Sequence, residues 1–176
     1  GVLTYNTSGN SFDANGISSA RALLVDEGFN LLESTLGIDF QKTTDSNVDI
    51  AFSDQSGGAY AYSYNNSGMI SNSFINISSG WNSGSSGLGN YTFQTILHEI
   101  GHALGLGHQG NYNGWASYSN DADFTNDSWQ SSIMSYFSQS ENTSIDASYA
   151  YISTFSTVDW IALDVLSNQQ LSLIHI

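Results

Sequence analysis

Apolar residues recur at helical spacing from about Asn15 to Leu36, where Ile17, Ala20, Leu24, Leu31 and Leu32 share a face. Gly37 follows as a stop, so this segment predicts one long amphipathic helix packed on a sheet. The period then shortens to two. Ile38-Asp39-Phe40 and Val48 to Phe52 alternate as half-buried strands. Ala59 to Tyr62 and Phe74 to Ile77 read as two more, separated by a polar Asn-Ser-Gly turn. Ser78 to Asn90 is rich in Gly and Ser and predicts a mobile loop with little intrinsic order.

Helical spacing returns from Thr92 to Leu104. Phe93, Ile96, Leu97, Ile100 and Leu104 form one apolar stripe, while His98 and His102 lie on nearly the opposite side. Such a helix is buried twice, as one spanning the floor of a cleft would be. A closing helix is expected from Thr157 to Leu166, with Ser156 and Asp159 as a capping box and Val158, Ile161 and Val165 turned inward. No internal repeat and no domain boundary interrupts the pattern. At 176 residues the chain is one domain with room for a real core.

The polar side of the Thr92–Leu104 helix carries the chemistry. His98 and His102, at i and i+4, project from one face, close enough to grip one metal ion. Glu99 sits beside them, placed to reach a water on that metal as general base. Gly105 can adopt the left-handed conformation that ends a helix, which brings His108 back as a third ligand. Three neutral nitrogen donors leave a fourth position open, the mark of a catalytic rather than a structural zinc. Each histidine then needs an acceptor for its outer nitrogen. Asp121, Asp123 and Asp127 are candidates for that task or for calcium, with solvated loop carboxylates as the plainer reading. Trp81, Trp115, Trp129 and Tyr118 allow a glycan-binding reading, though scattered aromatics belong more often to a core.

Composition narrows the partners. Two Lys+Arg against sixteen Asp+Glu give a formal charge of −14, which repels nucleic acid. No basic amphipathic segment and no long apolar run points to a membrane. The acidity suits salty or calcium-rich surroundings, or simply keeps the surface solvated. With no cysteine, disulfide stapling and thiol catalysis are both excluded. The chain opens on Gly1 with no cationic-then-apolar leader in view, which reads as a processed or excised fragment.

HExxHxxGxxH followed by Ile133-Met134-Ser135-Tyr136-Phe137 resembles the metzincin clan of zinc endopeptidases, with its methionine turn. Within the clan the chain is most similar to the serralysin-type catalytic domain (peptidase family M10), and Asn111-Tyr112-Asn113-Gly114 resembles the segment after that family's third histidine. The resemblance covers roughly Val2 to Leu166. It departs at Gln109, where serralysins usually have proline, and at Asn111, where aspartate is common. It implies an α+β fold: a twisted mixed β-sheet with a long N-terminal helix, a zinc-binding active-site helix and a C-terminal helix. Residues 1–170 would form the catalytic domain. Residues 171–176 would be a tail outside the family pattern, of the kind truncation leaves, and His175 there reads as incidental.

Carried onto this chain, the resemblance implies that His98, His102 and His108 bind one zinc, with Glu99 as general base and later acid. Met134 would be a structural floor beneath the metal. Tyr136 would be a resting-state ligand that swings away to hydrogen-bond the tetrahedral intermediate. Substrate would lie along an edge strand containing Ala59, Tyr60, Ala61 and Tyr62 by strand addition. The implied protein is a secreted, extracellular, monomeric zinc endopeptidase acting on proteins or peptides, with calcium as a second cation. Tyr136 after Met134-Ser135 argues against a matrixin, and the lack of cysteine against an astacin. The alternative from another class is a non-catalytic binding or adhesion module on the same fold.

Overall fold

Ser18 starts the first helix: its backbone is extended and its hydroxyl accepts from the N–H of Arg21. α1 runs Ser19–Leu36 and ends at Gly37, whose φ of 67° lets its N–H close onto Glu33 O. Leu24, Val25, Phe29 and Leu32 form its buried face. Phe29 packs on Tyr5 and Phe40 with ring centroids 4.2 and 4.7 Å away, which fastens the helix to the sheet. These contacts are seen in a computed structural model that describes residues 1–67 and 69–171, so His175 and the rest of the tail beyond Leu171 lie outside the described residues.

Five strands form one mixed sheet: β1 (Val2–Asn6), β2 (Asp39–Lys42), β3 (Ile50–Ser53), β4 (Ala59–Asn66) and β5 (Met69–Ile77). Their order is β2-β1-β3-β5-β4, with every neighbouring pair parallel except β4 against β5. β1 is the strand that periodicity missed. It is short and has no turn signal before it, yet it lies inside the sheet, and Thr4 ties it to the start of β3 through Asp49 Oδ2, 2.7 Å from both Thr4 N and Oγ1. β4 is an edge strand. Ala59 and Ala61 pack on the core, while Tyr60, Tyr62 and Tyr64 alternate outward and are exposed.

The zinc-motif helix, α2, runs Tyr91–Ala103 and is capped by Asn90, whose Oδ1 accepts from the N–H groups of Thr92 and Phe93. It is buried on nearly all sides, from Phe93 and Leu97 to Thr95 and Glu99, as the two-faced pattern predicts. α1 crosses it closely at Gly28: a Cβ there would stand 3.2 Å from Leu97 and 3.3 Å from Ile100. Two smaller pieces flank α2 in the chain, a 3₁₀ turn at Trp81–Gly84 before it and the single-turn α3 (Tyr118–Asp121) after it.

Two expectations need correction. The head of the Ser78–Asn90 loop is fastened rather than loose: the buried Arg21 guanidinium donates to the carbonyls of Ile77, Ser78, Ser79 and Trp81. The closing helix, α4 (Thr157–Leu171), is longer than predicted and turned differently. Val158, Ile161 and Val165 are 54%, 61% and 50% exposed, whereas Asp159 and Leu163 are buried. Hydrogen bonds decide the rotation. Asp159 Oδ2 accepts from Ser156 N and from Ile133 N, and its Oδ1 from Ser132 Oγ. The capping box is half formed, because Ser156 Oγ instead donates to Ser131 O at 2.6 Å.

The β1–α1 loop is held by another carboxylate. Asp13 is buried and accepts from the N–H groups of Asn15, Gly16 and Asp54, from Ser53 Oγ and from Gln55 Nε2. Burial pushes its carboxyl up, but those donors outweigh it and hold the group below its ordinary value. A depressed folded-state pKa gives stability that is full above the unfolded value and is lost as pH falls through the folded one. Asp13→Asn is therefore expected to unfold at lower urea than wild type at pH 6, with the gap closing as pH drops below about 4. A gap independent of pH would count against this account.

Candidate metal centre

Three main-chain carbonyls orient the triad. His98 Nδ1 lies 2.9 Å from Ile133 O, His102 Nδ1 2.8 Å from Leu106 O, and His108 Nδ1 2.8 Å from Tyr112 O. A carbonyl can only accept, so each contact fixes a proton on Nδ1 and leaves Nε2 bare. The Nε2 atoms of His102 and His108 then face each other at 2.9 Å with no proton to share. That contact is not a hydrogen bond; it is two lone pairs in need of a cation. One donor atom from each of the three histidines lies within 4.8 Å of the others, and among the described residues no other cluster of His, Cys, Asp or Glu does this. Three neutral imidazoles held by second partners are a donor set that fits zinc. Burial lowers all three histidines below their ordinary value, His98 to about 3, so they are neutral and able to ligate.

The turn after α2 is made as the motif predicts. Gly105 has φ 103°, Leu106 N–H returns to Gly101 O, and the chain reverses toward His108. Glu99 is buried, and its Oε2 has no hydrogen-bond partner. Burial raises its carboxyl to about 8; a divalent cation at the histidines would draw it back down. Tyr136 has its ring centroid 4.3 Å from that of His108, and its hydroxyl accepts from Gly114 N–H at 3.5 Å. His98, Glu99 and Tyr136 all line one cleft of about 380 Å³.

Met134 is buried beneath α2. A Cβ on Gly101, the residue before His102, would stand 2.7 Å from the Met134 sulfur, so the glycine of the motif makes room for the methionine turn. Of the four residues assigned to the substrate strand, Ala59 lines the cleft, while Tyr60, Ala61 and Tyr62 continue along β4 away from the lining.

Sequence reasoning missed the support from Asp159, named Asp127 only as a candidate acceptor for the histidines or for calcium, and did not foresee that tryptophans partly in the core also wall the cleft. Asp159 holds Ile133 N–H, and Ile133 O holds His98, so the final helix reaches the first histidine through one residue. Asp127 Oδ1 accepts from Tyr112 Oη and Ser135 Oγ, which connects the third histidine's loop to the methionine turn. The acidic loop does not bond the histidines directly: Asp123 accepts from Asn111 N and Asp121 from Ser117 N, while Asp127 is fully buried. Trp81, Trp115 and Trp129 form walls of the cleft, and Trp115 is fully exposed there. Spacing held no signal for this, because the three tryptophans come from separate loops.

Fold, motif helix and methionine turn together define a metzincin. The family model described as Metallo-peptidase family M12 matches residues 6–148, and the chain belongs to that family. Its relatives keep the serralysin likeness. It is 46% identical over 86 residues to Serralysin C of Dickeya chrysanthemi, a match covering 47% of this chain and 18% of that one. It is 35% identical over 127 residues to the serralysin of Photorhabdus sp. (strain Az29), covering 66% of this chain and 26% of the relative. The chain thus spans a minor part of the length of these relatives. Among solved structures it resembles high choriolytic enzyme 1, a hatching enzyme zinc-protease from the medaka Oryzias latipes, with a TM-score of 0.55. That match covers 95% of this chain and 89% of the other at 16% identity, and so speaks for the fold.

Gly101→Ala is expected to force the buried Met134 sulfur aside and cost about 1–3 kcal/mol, read from chemical denaturation of the metal-free protein. An unchanged midpoint would mean that the methionine turn is not fixed against α2.

Proposed function

We propose that this chain is the catalytic domain of a zinc-dependent endopeptidase, with His98, His102 and His108 as ligands and Glu99 as general base. The observation that carries the reading is the pair of bare Nε2 atoms on His102 and His108, 2.9 Å apart, together with the unpartnered carboxyl oxygen of Glu99, which lines one cleft with His98. When bound, zinc supplies Lewis acidity: it polarises a peptide carbonyl and makes water a nucleophile near neutral pH. The chain's residues do the rest. Glu99 accepts the proton of the attacking water and later delivers it to the leaving amine. Tyr136 would hold the metal as an exchangeable ligand, and its hydroxyl would donate a hydrogen bond to the developing oxyanion. Met134 is the floor that keeps α2 and the turn in register.

Protein or peptide substrate lies extended along β4, the edge strand whose Ala59 borders the cleft. Residues 1–170 act as a single monomeric unit. Secretion into an extracellular medium and an influence of calcium belong to the same reading, supported by the family resemblance and by a formal charge of −14 that bound cations would relieve.

The test is cleavage of an unfolded protein, with and without a zinc chelator, beside Glu99→Ala of matched zinc content. Activity removed by chelation, restored by zinc and lowered about 10⁴-fold in the variant is expected. Tyr136→Phe should lose about 10²-fold, and an unchanged rate would remove its oxyanion role. A wild-type chain that binds one zinc and cuts nothing would favour the binding-module reading instead.

A further inference from the structure

Among the described residues, the Asp127 carboxylate has no cationic partner. It is fully buried, and among the described residues nothing donates a hydrogen bond to its Oδ2. Both donors that reach it, Ser135 Oγ at 2.6 Å and Tyr112 Oη at 3.1 Å, crowd onto Oδ1. A buried carboxylate costs several kcal/mol unless a positive charge or a full set of donors answers it. This chain has only two cationic side chains. Lys42 is paired with Asp26 at 2.8 Å, and Arg21 is committed to the carbonyls of residues 77–81. Neither can serve.

What does lie close is the metal centre. Tyr112 is the single residue between them: its hydroxyl donates to Asp127, and its carbonyl accepts from His108 Nδ1. On the other side Ser135, next to Met134 and Tyr136, donates to the same oxygen while accepting from Phe137 N–H. We infer that Asp127 is the buried countercharge of the metal centre and the residue that positions His108 through Tyr112. The inference rests on the zinc reading of the triad. Two bare imidazole nitrogens at 2.9 Å need a positive charge between them, and an uncompensated buried carboxylate one residue away needs the same charge. One bound dication answers both. Asp127 is thus a positioning residue; it touches neither the ligand nitrogens nor the cleft.

Asp127→Asn separates this role from a merely structural one. Asparagine keeps an oxygen for Ser135 and Tyr112 but carries no charge. Zinc affinity of the full chain, read by competition with a chromophoric chelator, is expected to fall about 10–100-fold. Melting of the metal-free protein should stay the same or rise, because a buried unpaired charge has gone. The rise in melting temperature on adding zinc should shrink accordingly. Undiminished zinc affinity in Asp127→Asn would overturn the inference, and would point to a buried water as the partner of Oδ2. So would a metal-free melting temperature that drops as far as the zinc-bound one.

Should Asp127→Asn fail to fold, Tyr112→Phe carries the test. It removes the hydroxyl, with its links to Asp127 and to Tyr136 N–H, and keeps the carbonyl that holds His108. Several-fold weaker zinc binding is expected, together with a lower metal-free melting temperature because Asp127 loses a donor, and unchanged zinc binding would overturn the positioning role. A wild-type chain that binds no zinc would instead defeat the proposed function, which keeps the two failures apart.

Discussion

Each histidine of the triad gives its outer nitrogen to a main-chain carbonyl, and the site depends on those three contacts. They set the tautomer, turn Nε2 inward and leave no proton between His102 and His108. The carbonyls come from three different places: Leu106 in the turn after α2, Tyr112 in the loop beyond it, and Ile133 in the methionine turn. A site built on α2 alone would have two imidazoles free to rotate. The loops that look irregular are therefore the parts that fix the chemistry.

Those loops are held in turn by buried carboxylates. Asp159 from α4 binds Ile133 N–H and Ser132, and the cost is a rotated helix with Val158, Ile161 and Val165 in solvent. Asp127 binds Tyr112 and Ser135 in the same manner, one step from His108. Local hydrophobic patterning thus yields where a charged hydrogen bond competes with it, since a buried carboxylate left without donors costs more than an apolar side chain left exposed. α2 is caught between the core and this polar layer, and Gly101 is small because the Met134 sulfur needs the space.

The rest of the fold supplies a rigid base. Three parallel strand pairings and one antiparallel pairing place β4 at the edge beside the cleft, and Arg21 fastens the segment that carries Trp81 to its wall. Trp81, Trp115 and Trp129 give the cleft an aromatic lining that no two neighbouring residues of the chain announce. The outward tyrosines of β4 lie on the other face of the sheet from Ala59 and Ala61, as the alternation of a strand requires.

The sequence by itself determined the elements whose signal is local. The end of α1 follows from Gly37, the α2 helix from its apolar stripe, and the histidine spacing from i, i+4 geometry with a glycine turn, whereas the start of α1 is set at Ser18 rather than near Asn15. The β4–β5 hairpin was legible in alternating residues around a polar turn. What only the tertiary structure decided is everything carried by contacts distant in sequence. β1 became an interior strand because β2 and β3 pair with it, and not through any pattern of its own. The face of α4 was chosen by the methionine turn, and the acceptors for the histidines by loops whose backbone path no periodicity encodes. Asp127 sits among similar loop aspartates in the chain, and only burial distinguishes it from Asp121 and Asp123. Periodicity reports which side of an element is apolar; it cannot report which distant donor a carboxylate will meet.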